Sequence, residues 1–239
     1  MLFRGLTTLS ITRSHLTGTI PTFVFTIPQL RDLRIFANQM TGSIPTEVGL
    51  ATNLEVLKIE NNWMYGTLVS ELGLLTNMRS FTLQFNQFIR SLPTELGQWT
   101  KLTSLVLADN RISGTFPTEI GRWTNIEKLL MTENLMTGSL PSEIGLWTNI
   151  KDFRIADIGM HGKIPTEIGL MTNLWRLDFG ENKFDGTILT EFGSLSNLCK
   201  HSTVDVLESF INITSAQRHS PFGIFFPSNI CRFYGSPEE

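Results

Sequence analysis

The sequence predicts an α/β solenoid, a horseshoe of stacked coils with a parallel β-sheet on its concave face. The first observation behind this prediction is a 24-residue unit that recurs eight times without a gap between Gly5 and Ser196. The second is the apolar spacing within each unit, at positions 2, 5, 7, 12, 16, 20 and 23, which fits neither one long helix nor a series of hairpins.

The first element of each unit is a short strand, because apolar positions 5 and 7 alternate with polar neighbours as a half-buried strand requires. Stacked in register, these strands would form one sheet with neighbours about 4.7–4.9 Å apart. From the second to the eighth unit the inward pairs are Leu33 and Ile35, Leu57 and Ile59, Phe81 and Leu83, Leu105 and Leu107, Leu129 and Met131, Phe153 and Ile155, and Leu177 and Phe179.

The second element is the corner that follows each strand, where asparagine recurs at position 10. An amide both donates and accepts hydrogen bonds, so a buried asparagine column can satisfy the main chain that turns there. Its members are Asn38, Asn62, Asn86, Asn110, Asn134 and Asn182. The seventh unit has Ile158 instead, and we expect a local break or a water there, with main-chain polar groups left without protein partners.

The remaining half of each unit reads L-x-G-x-I-P followed by x-x-L-G-x-L, after a first half close to L-x-x-L-x-L-x-x-N-x-L. Glycine frees the backbone at position 14, and proline at position 17 presets a helical turn. The glycines are Gly18, Gly42, Gly66, Gly114, Gly138, Gly162 and Gly186, the prolines are Pro21, Pro45, Pro93, Pro117, Pro141 and Pro165, and Arg90, Val69 and Leu189 depart from the pattern.

Over Gly5 to Ser196 the chain thus resembles the plant-type leucine-rich repeat proteins, such as receptor-kinase ectodomains and polygalacturonase inhibitors. The resemblance implies a second short strand after the glycine of position 14 and a 3₁₀ turn at P-T-E-I-G, both on the convex face, and a twisted superhelix. Members of the family bind peptides, glycans or other proteins, so it also implies a non-catalytic recognition module. The alternative is a structural or adhesive repeat protein of a cell wall or surface.

Composition and motifs exclude several other functions. A formal net charge of −3 offers no basic stripe for nucleic acid, and no apolar run reaches the roughly 18 residues of a membrane span. The four histidines are scattered, at His15, His161, His201 and His219. The sequence therefore predicts neither a metal site nor a cofactor, and the absence of catalytic motifs predicts that the chain is not an enzyme.

The period fails after Ser196, so we divide the chain into eight repeats within residues 1–196 and a degenerate ninth repeat with an insertion, residues 197–239, acting as a C-terminal cap. The two cysteines, Cys199 and Cys231, permit one disulfide; the alternative is two buried thiols. With the glycosylation sequon at Asn212 they favour an extracellular or cell-surface location over a cytoplasmic one. The chain begins inside a repeat, and we expect a fragment of a longer product.

Two regular columns are interpreted as structural. One glutamate per unit follows Thr or Ser at position 19, where the hydroxyl would cap a short turn and the carboxylate would face the positive end of its dipole. The alternative is a cation-binding ridge formed by Glu47, Glu71, Glu95, Glu119, Glu143, Glu167 and Glu191. Trp99, Trp123 and Trp147 occupy apolar position 23 and are expected to pack on the convex side.

The candidate ligand-binding residues stand at the variable positions 4, 6, 8, 9 and 11, which face out from the concave sheet. They are Arg34, Phe36, Lys58, Trp63, Phe85, Lys128, Glu133, Arg154, Asp157, Arg176 and Glu181. The aromatic members are candidate interface anchors; the alternative is scattered surface apolar residues.

Position 9 carries an acid in four consecutive units, at Asp109, Glu133, Asp157 and Glu181. Stacked carboxylates about 5 Å apart repel each other, and we expect Lys128, Arg154 and Arg176 to neutralise part of the column. A basic peptide segment would be its ligand. The alternative is a solvated polar margin without a partner.

Overall fold

The computed structural model describes residues 3–187 and 189–198 of the chain. Its main sheet contains eight parallel strands, one from each 24-residue unit, in the order in which the units follow along the chain. These strands are β1 (Thr8–Ser10), β3 (Asp32–Arg34), β5 (Val56–Lys58), β7 (Ser80–Thr82), β9 (Ser104–Val106), β11 (Lys128–Leu130), β13 (Asp152–Arg154) and β15 (Arg176–Asp178).

A second short strand follows in every unit, and it begins at position 11 or 13, before the glycine of position 14 rather than after it as the family resemblance implies. Its partners form three separate parallel ladders: β2 with β4, β6 with β8, β10 and β12, and β14 with β16. The bounds are β2 (Thr17–Gly18), β4 (Gln39–Met40), β6 (Tyr65–Thr67), β8 (Gln87–Arg90), β10 (Arg111–Gly114), β12 (Leu135–Met136), β14 (His161–Lys163) and β16 (Lys183–Asp185). We call β6, β8, β10 and β12 the second sheet.

Each unit closes with a five-residue 3₁₀ turn at the predicted P-T-E-I-G segment. The turns are Thr22–Thr26, Thr46–Leu50, Ser70–Leu74, Thr94–Gln98, Thr118–Arg122, Ser142–Leu146, Thr166–Leu170 and Thr190–Ser194. The predicted fold class is therefore confirmed. Apart from its first two residues, the predicted cap over 197–239 lies outside the described residues, and so do the proposed Cys199–Cys231 disulfide and the Asn212 sequon.

The core runs as one continuous column inside the coils. Every predicted inward side chain at positions 5 and 7, from Leu33 to Phe179, is between 0 and 4% exposed. The predicted convex tryptophans are also fully buried, and each indole N–H crosses to the preceding coil. Trp99 donates to the Leu72 carbonyl at 2.8 Å, Trp123 to Leu96 at 2.8 Å, and Trp147 to Ile120 at 2.9 Å. The tryptophans therefore both fill the core and join coils three to six.

The asparagine corner forms the predicted ladder. The Asn110 amide nitrogen donates to the carbonyls of Leu83, Leu107 and Ala108 at 3.0–3.1 Å, and its Oδ1 accepts the Phe88 N–H at 3.0 Å. Asn62, Asn86, Asn134 and Asn182 make equivalent bonds. One buried side chain thus serves the main chain of two adjacent coils.

The seventh corner departs from the others, as the sequence predicts, and the N–H groups on either side of Gly159 find another acceptor. Asn182 Oδ1 accepts both the Ile158 N–H at 3.4 Å and the Met160 N–H at 3.0 Å. Gly159 between them has φ +86°, whereas most units have ordinary backbone at this step. The prediction of unpaired groups is therefore wrong for Ile158, because the next asparagine supplies its acceptor once the backbone turns into the left-handed region. The Met136 N–H, whose counterparts such as the Phe88 N–H bond to a ladder asparagine, has no such acceptor at Ile158.

The first unit, with Ser14 in place of the asparagine, shows the same change. Asn38 Oδ1 accepts the N–H groups of Ser14 and Leu16, and His15 between them has φ +53°. The two described corners without their own amide therefore reach the same conformation. The left-handed backbone at position 11 is therefore a consequence of the missing asparagine side chain at position 10, and not of Gly159 being a glycine.

A second asparagine ladder was missed in the sequence. An asparagine at position 1 donates to the carbonyl of the residue 25 positions earlier, which is the last residue before the preceding unit begins and therefore lies one layer away in the stack. Examples are Asn125 to Thr100 at 2.8 Å and Asn149 to Thr124 at 2.9 Å. The signal was the recurring T-N pair at unit boundaries, which looks like an ordinary polar turn when read alone.

Glycine at position 14 has φ between +76° and +98° in all seven units that carry it. Arg90 occupies that step in the fourth unit and is held at φ +66°. A left-handed residue with a Cβ is strained by about 1–2 kcal/mol. The chain therefore keeps the same turn at Arg90 as at the glycines, and the arginine is held there in a strained backbone conformation.

The glutamate column at position 19 has a different structural basis from the predicted one. No side chain caps the 3₁₀ turns: the hydroxyl at position 18 instead donates to the adjacent glutamate, as Thr94 does to Glu95 at 3.4 Å. The glutamate backbone packs against the glycine of the preceding turn, so that a Cβ on Gly73 would lie 2.5 Å from the Glu95 Cβ. Close stacking of consecutive turns thus explains the second glycine of the motif.

Candidate functional site

The concave sheet aligns its outward side chains in rows that run across the units. Strand pairing places position 6 of each unit beside position 6 of the next, in the order Ser10, Arg34, Lys58, Thr82, Val106, Leu130, Arg154 and Asp178. Flanking positions 5 and 7 are buried, so position 6 faces away from the core. The chain thus builds a surface whose chemistry changes from one coil to the next on a constant backbone.

The middle of this surface is an apolar floor formed by Thr82, Val106, Ala108 and Leu130. These side chains face outward yet are only 6–8% exposed, because the adjacent rows crowd them. Sequence reasoning listed them as outward positions but did not single them out. A partner lying along the sheet would meet a shallow apolar strip here.

Two of the predicted cationic residues are already paired within their own strands. Arg34 makes a bidentate contact with Asp32, at 2.9 and 2.7 Å, and Arg154 makes one with Asp152, at 2.9 and 3.1 Å. Residues two apart on a strand share a face, so the D-x-R spacing was the signal that sequence reasoning missed. The hydrogen bond and charge of Asp32 raise the pKa of Arg34.

The acidic column of Asp109, Glu133, Asp157 and Glu181 lies where the main chain leaves the strands. All four members have φ between +50° and +55°. The N–H groups of the first three donate to the carbonyl of position 8 in the next coil at 3.0–3.2 Å. The backbone thus fixes where the column stands.

No cation neutralises this column in the described part of the chain. The expectation that Arg154 would do so was wrong, because Arg154 binds Asp152. Lys128 and Arg176 sit at position 4, at the opposite end of their strands, and no recorded ion pair joins either to the column.

The mutual repulsion is visible in the pKa of one member, Glu133. The charge of Asp157 is the main cause that raises the pKa of Glu133, followed by burial, the charge of Asp109 and a hydrogen bond to Asp157. Burial raises the pKa of Asp109. The column therefore carries negative charge that a cationic partner would relieve.

Glu60, at position 8 of the third coil, is a further residue that sequence reasoning did not select. Its Oε2 atom is buried and has no hydrogen-bond partner among the described residues. Burial raises the pKa of Glu60, while a backbone hydrogen bond and the charges of Lys58 and Arg34 oppose the shift. No sequence signal distinguishes it from the other acids at variable positions.

The three predicted aromatic anchors occupy different places. Phe36 is half-buried on the concave face, and Phe85, at φ +56°, is 47% exposed at its margin. Trp63 is 56% exposed, and its N–H donates to the Met40 carbonyl, so its backbone belongs with the second strands rather than the concave sheet. The ring contacts recorded among the described residues do not join these three.

Two exposed apolar residues beside Trp63 were missed. Tyr65 is 55% exposed and Ile89 is 41% exposed, both on the second sheet. The signal was the alternation of positions 11 and 13 around buried position 12, which places Trp63 and Tyr65 on one outward face.

Within residues 3–187 and 189–198, no group of three or more His, Cys, Asp or Glu side chains is arranged to hold a metal ion. The same residues contain no helix with the length and apolar character needed to cross a bilayer.

Comparison with known proteins shows which families and structures this architecture resembles. Residues 101–123 match the family model described as Leucine Rich Repeat. No curated protein is significantly similar to the chain. Among solved structures, the chain is 35% identical, with a TM-score of 0.79, to the ectodomain of the plant membrane receptor kinase GASSHO1/SCHENGEN3 from Arabidopsis thaliana, in complex with CASPARIAN STRIP INTEGRITY FACTOR 2.

Two further solved structures are similar. The plant peptide hormone receptor RGFR1, in complex with RGF2, is 28% identical with a TM-score of 0.80 over 81% of this chain. A leucine-rich repeat protein of the bacterium Leptospira interrogans, LIC12759, is 30% identical with a TM-score of 0.66 over 75% of this chain. The match to GASSHO1/SCHENGEN3 also covers 81% of this chain. The chain spans only 23%, 31% and 44% of the length of GASSHO1/SCHENGEN3, RGFR1 and LIC12759 respectively.

Proposed function

We propose that this chain, whose coils resemble those of the plant leucine-rich repeat receptor ectodomains, is a non-catalytic recognition module that binds a protein, peptide or glycan partner on its concave face. The observation that carries the proposal is the contrast between constant and variable rows. Inward positions stay apolar in every coil, while position 6 changes from Arg34 through Val106 to Asp178. A purely structural or adhesive repeat would need no such variation.

The distribution of charge on that face favours an extended partner with a basic segment. The acidic column has no recorded cationic partner among the described residues, and the apolar floor lies beside it in coils four to six. A peptide lying across the strands would set apolar side chains on the floor and cationic ones against Glu133 and Glu181. Complementary charge of this kind mainly raises the association rate and selects the partner.

The similar receptor ectodomains lend support, since two of them were solved with a peptide hormone or an integrity factor bound. By the same analogy we propose an extracellular or cell-surface location. Immunogold labelling or surface biotinylation of the source cells would test this; recovery of the protein only from the cytosolic fraction would contradict it.

The binding proposal is tested by probing arrays of synthetic peptides and purified glycans with the purified chain. The variant Asp157→Lys with Glu181→Lys reverses two charges of the acidic column. Its control, Glu167→Lys with Glu191→Lys, makes the same charge change in the same two coils on the convex side. We expect basic peptides to bind the wild type and the control but to lose affinity for the concave variant.

Equal capture by the concave variant and the wild type would remove the acidic column from the proposal. Equal loss in both variants would mean that net charge alone governs binding and that the concave face is not the site.

A further inference from the structure

A second exposed surface lies on the side of the solenoid, away from the concave rows. It is formed on the second sheet by Trp63, Tyr65, Ile89, Arg90 and Arg111, and we call it the lateral surface. Pairing sets Ile89 directly opposite Arg111, and the residues between the outward ones, Met64, Phe88 and Ile112, are fully buried. The named side chains of positions 11 and 13 therefore project together from one flat face.

The composition of the lateral surface is that of a protein interface. Trp, Tyr and Arg are the residues that most often dominate binding energy, while Lys, Asp and Glu are depleted at interface centres. Outward positions 11, 13 and 15 of coils three to five hold Trp63, Tyr65, Thr67, Gln87, Ile89, Ser91, Arg111, Ser113 and Thr115, with no acidic residue. Trp63 and Tyr65 are more than half exposed.

Arg90 gives an independent reason to regard this surface as functional. Position 14 is glycine in the other seven units, yet here an arginine is held in the left-handed region at φ +66°. Strained backbone persists where the surrounding structure enforces it, and it clusters at sites of function. Strand pairing sets Arg90 opposite buried Ile112 rather than in the outward row, but Arg90 is exposed, so a second cation lies on the sheet that already carries Arg111.

The two guanidinium groups lack compensation. Neither Arg90 nor Arg111 makes a recorded ion pair or side-chain hydrogen bond with a described residue. The two strands that carry them, β8 and β10, each pair on both sides, so a partner meets side chains rather than a free strand edge. A second copy of the chain would set these arginines against a face that has no carboxylates, which makes self-association by this surface unfavourable.

We propose that the lateral surface binds a second protein partner, through a segment that presents apolar side chains flanked by carboxylates. This site is separate from the concave face and its chemistry is opposite, since the concave column selects basic groups. The chain would then join two partners of contrasting charge.

A random peptide library displayed on phage, selected on the purified chain, tests the proposal. We expect acidic peptides with aromatic or aliphatic residues to be enriched. The variant Trp63→Thr with Tyr65→Thr keeps strand propensity and should weaken their binding at least about 30-fold. Arg90→Gly with Arg111→Gln should weaken it about tenfold and reduce its salt dependence.

Matched controls separate the two surfaces. Leu135→Thr removes an equally exposed apolar residue, 61% exposed, from the neighbouring strand of the same sheet and should leave binding unchanged. The concave variant Asp157→Lys with Glu181→Lys should also retain it, so the two proposals can fail independently.

Three outcomes would overturn the proposal. The first is selection of basic peptides, or of peptides whose binding ignores Trp63 and Tyr65. The second is the binding of polyuronate, but of no peptide, in a way that depends on the two aromatic residues, which would point to an anionic glycan. The third is self-association of the wild type that the Trp63→Thr, Tyr65→Thr variant abolishes.

Discussion

Asn110→Ala is expected to lower the free energy of unfolding by about 3 kcal/mol, and the hydrogen bonds of the corner explain why. The carbonyls of Leu83 and Leu107 would each keep a second donor, from Asn86 and Asn134, so losing the Asn110 amide there costs about 0.5–1.5 kcal/mol per bond. The Phe88 N–H loses its acceptor inside the core, which costs about 1–3 kcal/mol.

The change is measured by urea unfolding, comparing midpoint and slope. Asn125→Ala is the matched control, because Asn125 is exposed and makes a single bond to Thr100 at 2.8 Å. We expect it to cost less than about 1 kcal/mol. Hydrogen exchange at the Phe88 amide should accelerate in Asn110→Ala alone. A loss below about 1 kcal/mol, or equal losses in both variants, would refute the assignment of the ladder as the main link between coils.

Three further changes test other contacts. Arg90→Gly should raise stability by about 0.5–1 kcal/mol, because it relieves the left-handed strain at the entropic cost of a glycine; a lower melting temperature would contradict this. Trp123→Phe keeps an aromatic ring but removes the hydrogen bond from the indole N–H to the Leu96 carbonyl of the preceding coil, and we expect the free energy of unfolding to fall by about 1–3 kcal/mol in the same urea assay; an unchanged midpoint would show that the indole N–H contributes nothing. Asp157→Asn should lower the pKa of Glu133, measured by carbon NMR of its carboxyl group, since the Asp157 charge is the main cause of the upward shift. Because the raised pKa keeps the Glu133 proton on the folded chain to higher pH, the free energy of unfolding falls as pH rises between the ordinary and the raised pKa. Asp157→Asn should narrow this pH interval. An unchanged Glu133 pKa in the variant would contradict the repulsion between the two carboxylates.

The repeat made most of the fold predictable, because identity at a given step means stacking in space. Position 5 and 7 residues such as Leu33 and Phe179 had to be inside, and position 10 asparagines had to meet turning backbone. The response to Ile158 could not be foreseen from the sequence, since it depends on whether Asn182 can reach two N–H groups at once.

The candidate site was less predictable, because residue type does not reveal which neighbour a side chain chooses. Arg154 was placed correctly on the outward face but was assigned to the wrong acid, and Asp152 on the same strand was overlooked. Trp63 was singled out as exposed, while its companion Tyr65 was not, since position 13 is usually a small turn residue in the repeat.

The seventh corner also predicts where the stack of coils should separate first under mechanical force. Between coils six and seven the ladder asparagine is replaced by Ile158, the bridging indole is replaced by Met171, and the ladder of second strands is interrupted after β12. Because a stack of repeats is held by contacts between neighbouring coils, the loss of three such contacts at one junction makes that junction the weakest. We expect the last two coils to separate there as a pair, so a ligand that spans Glu133 and Glu181 would also hold that junction together.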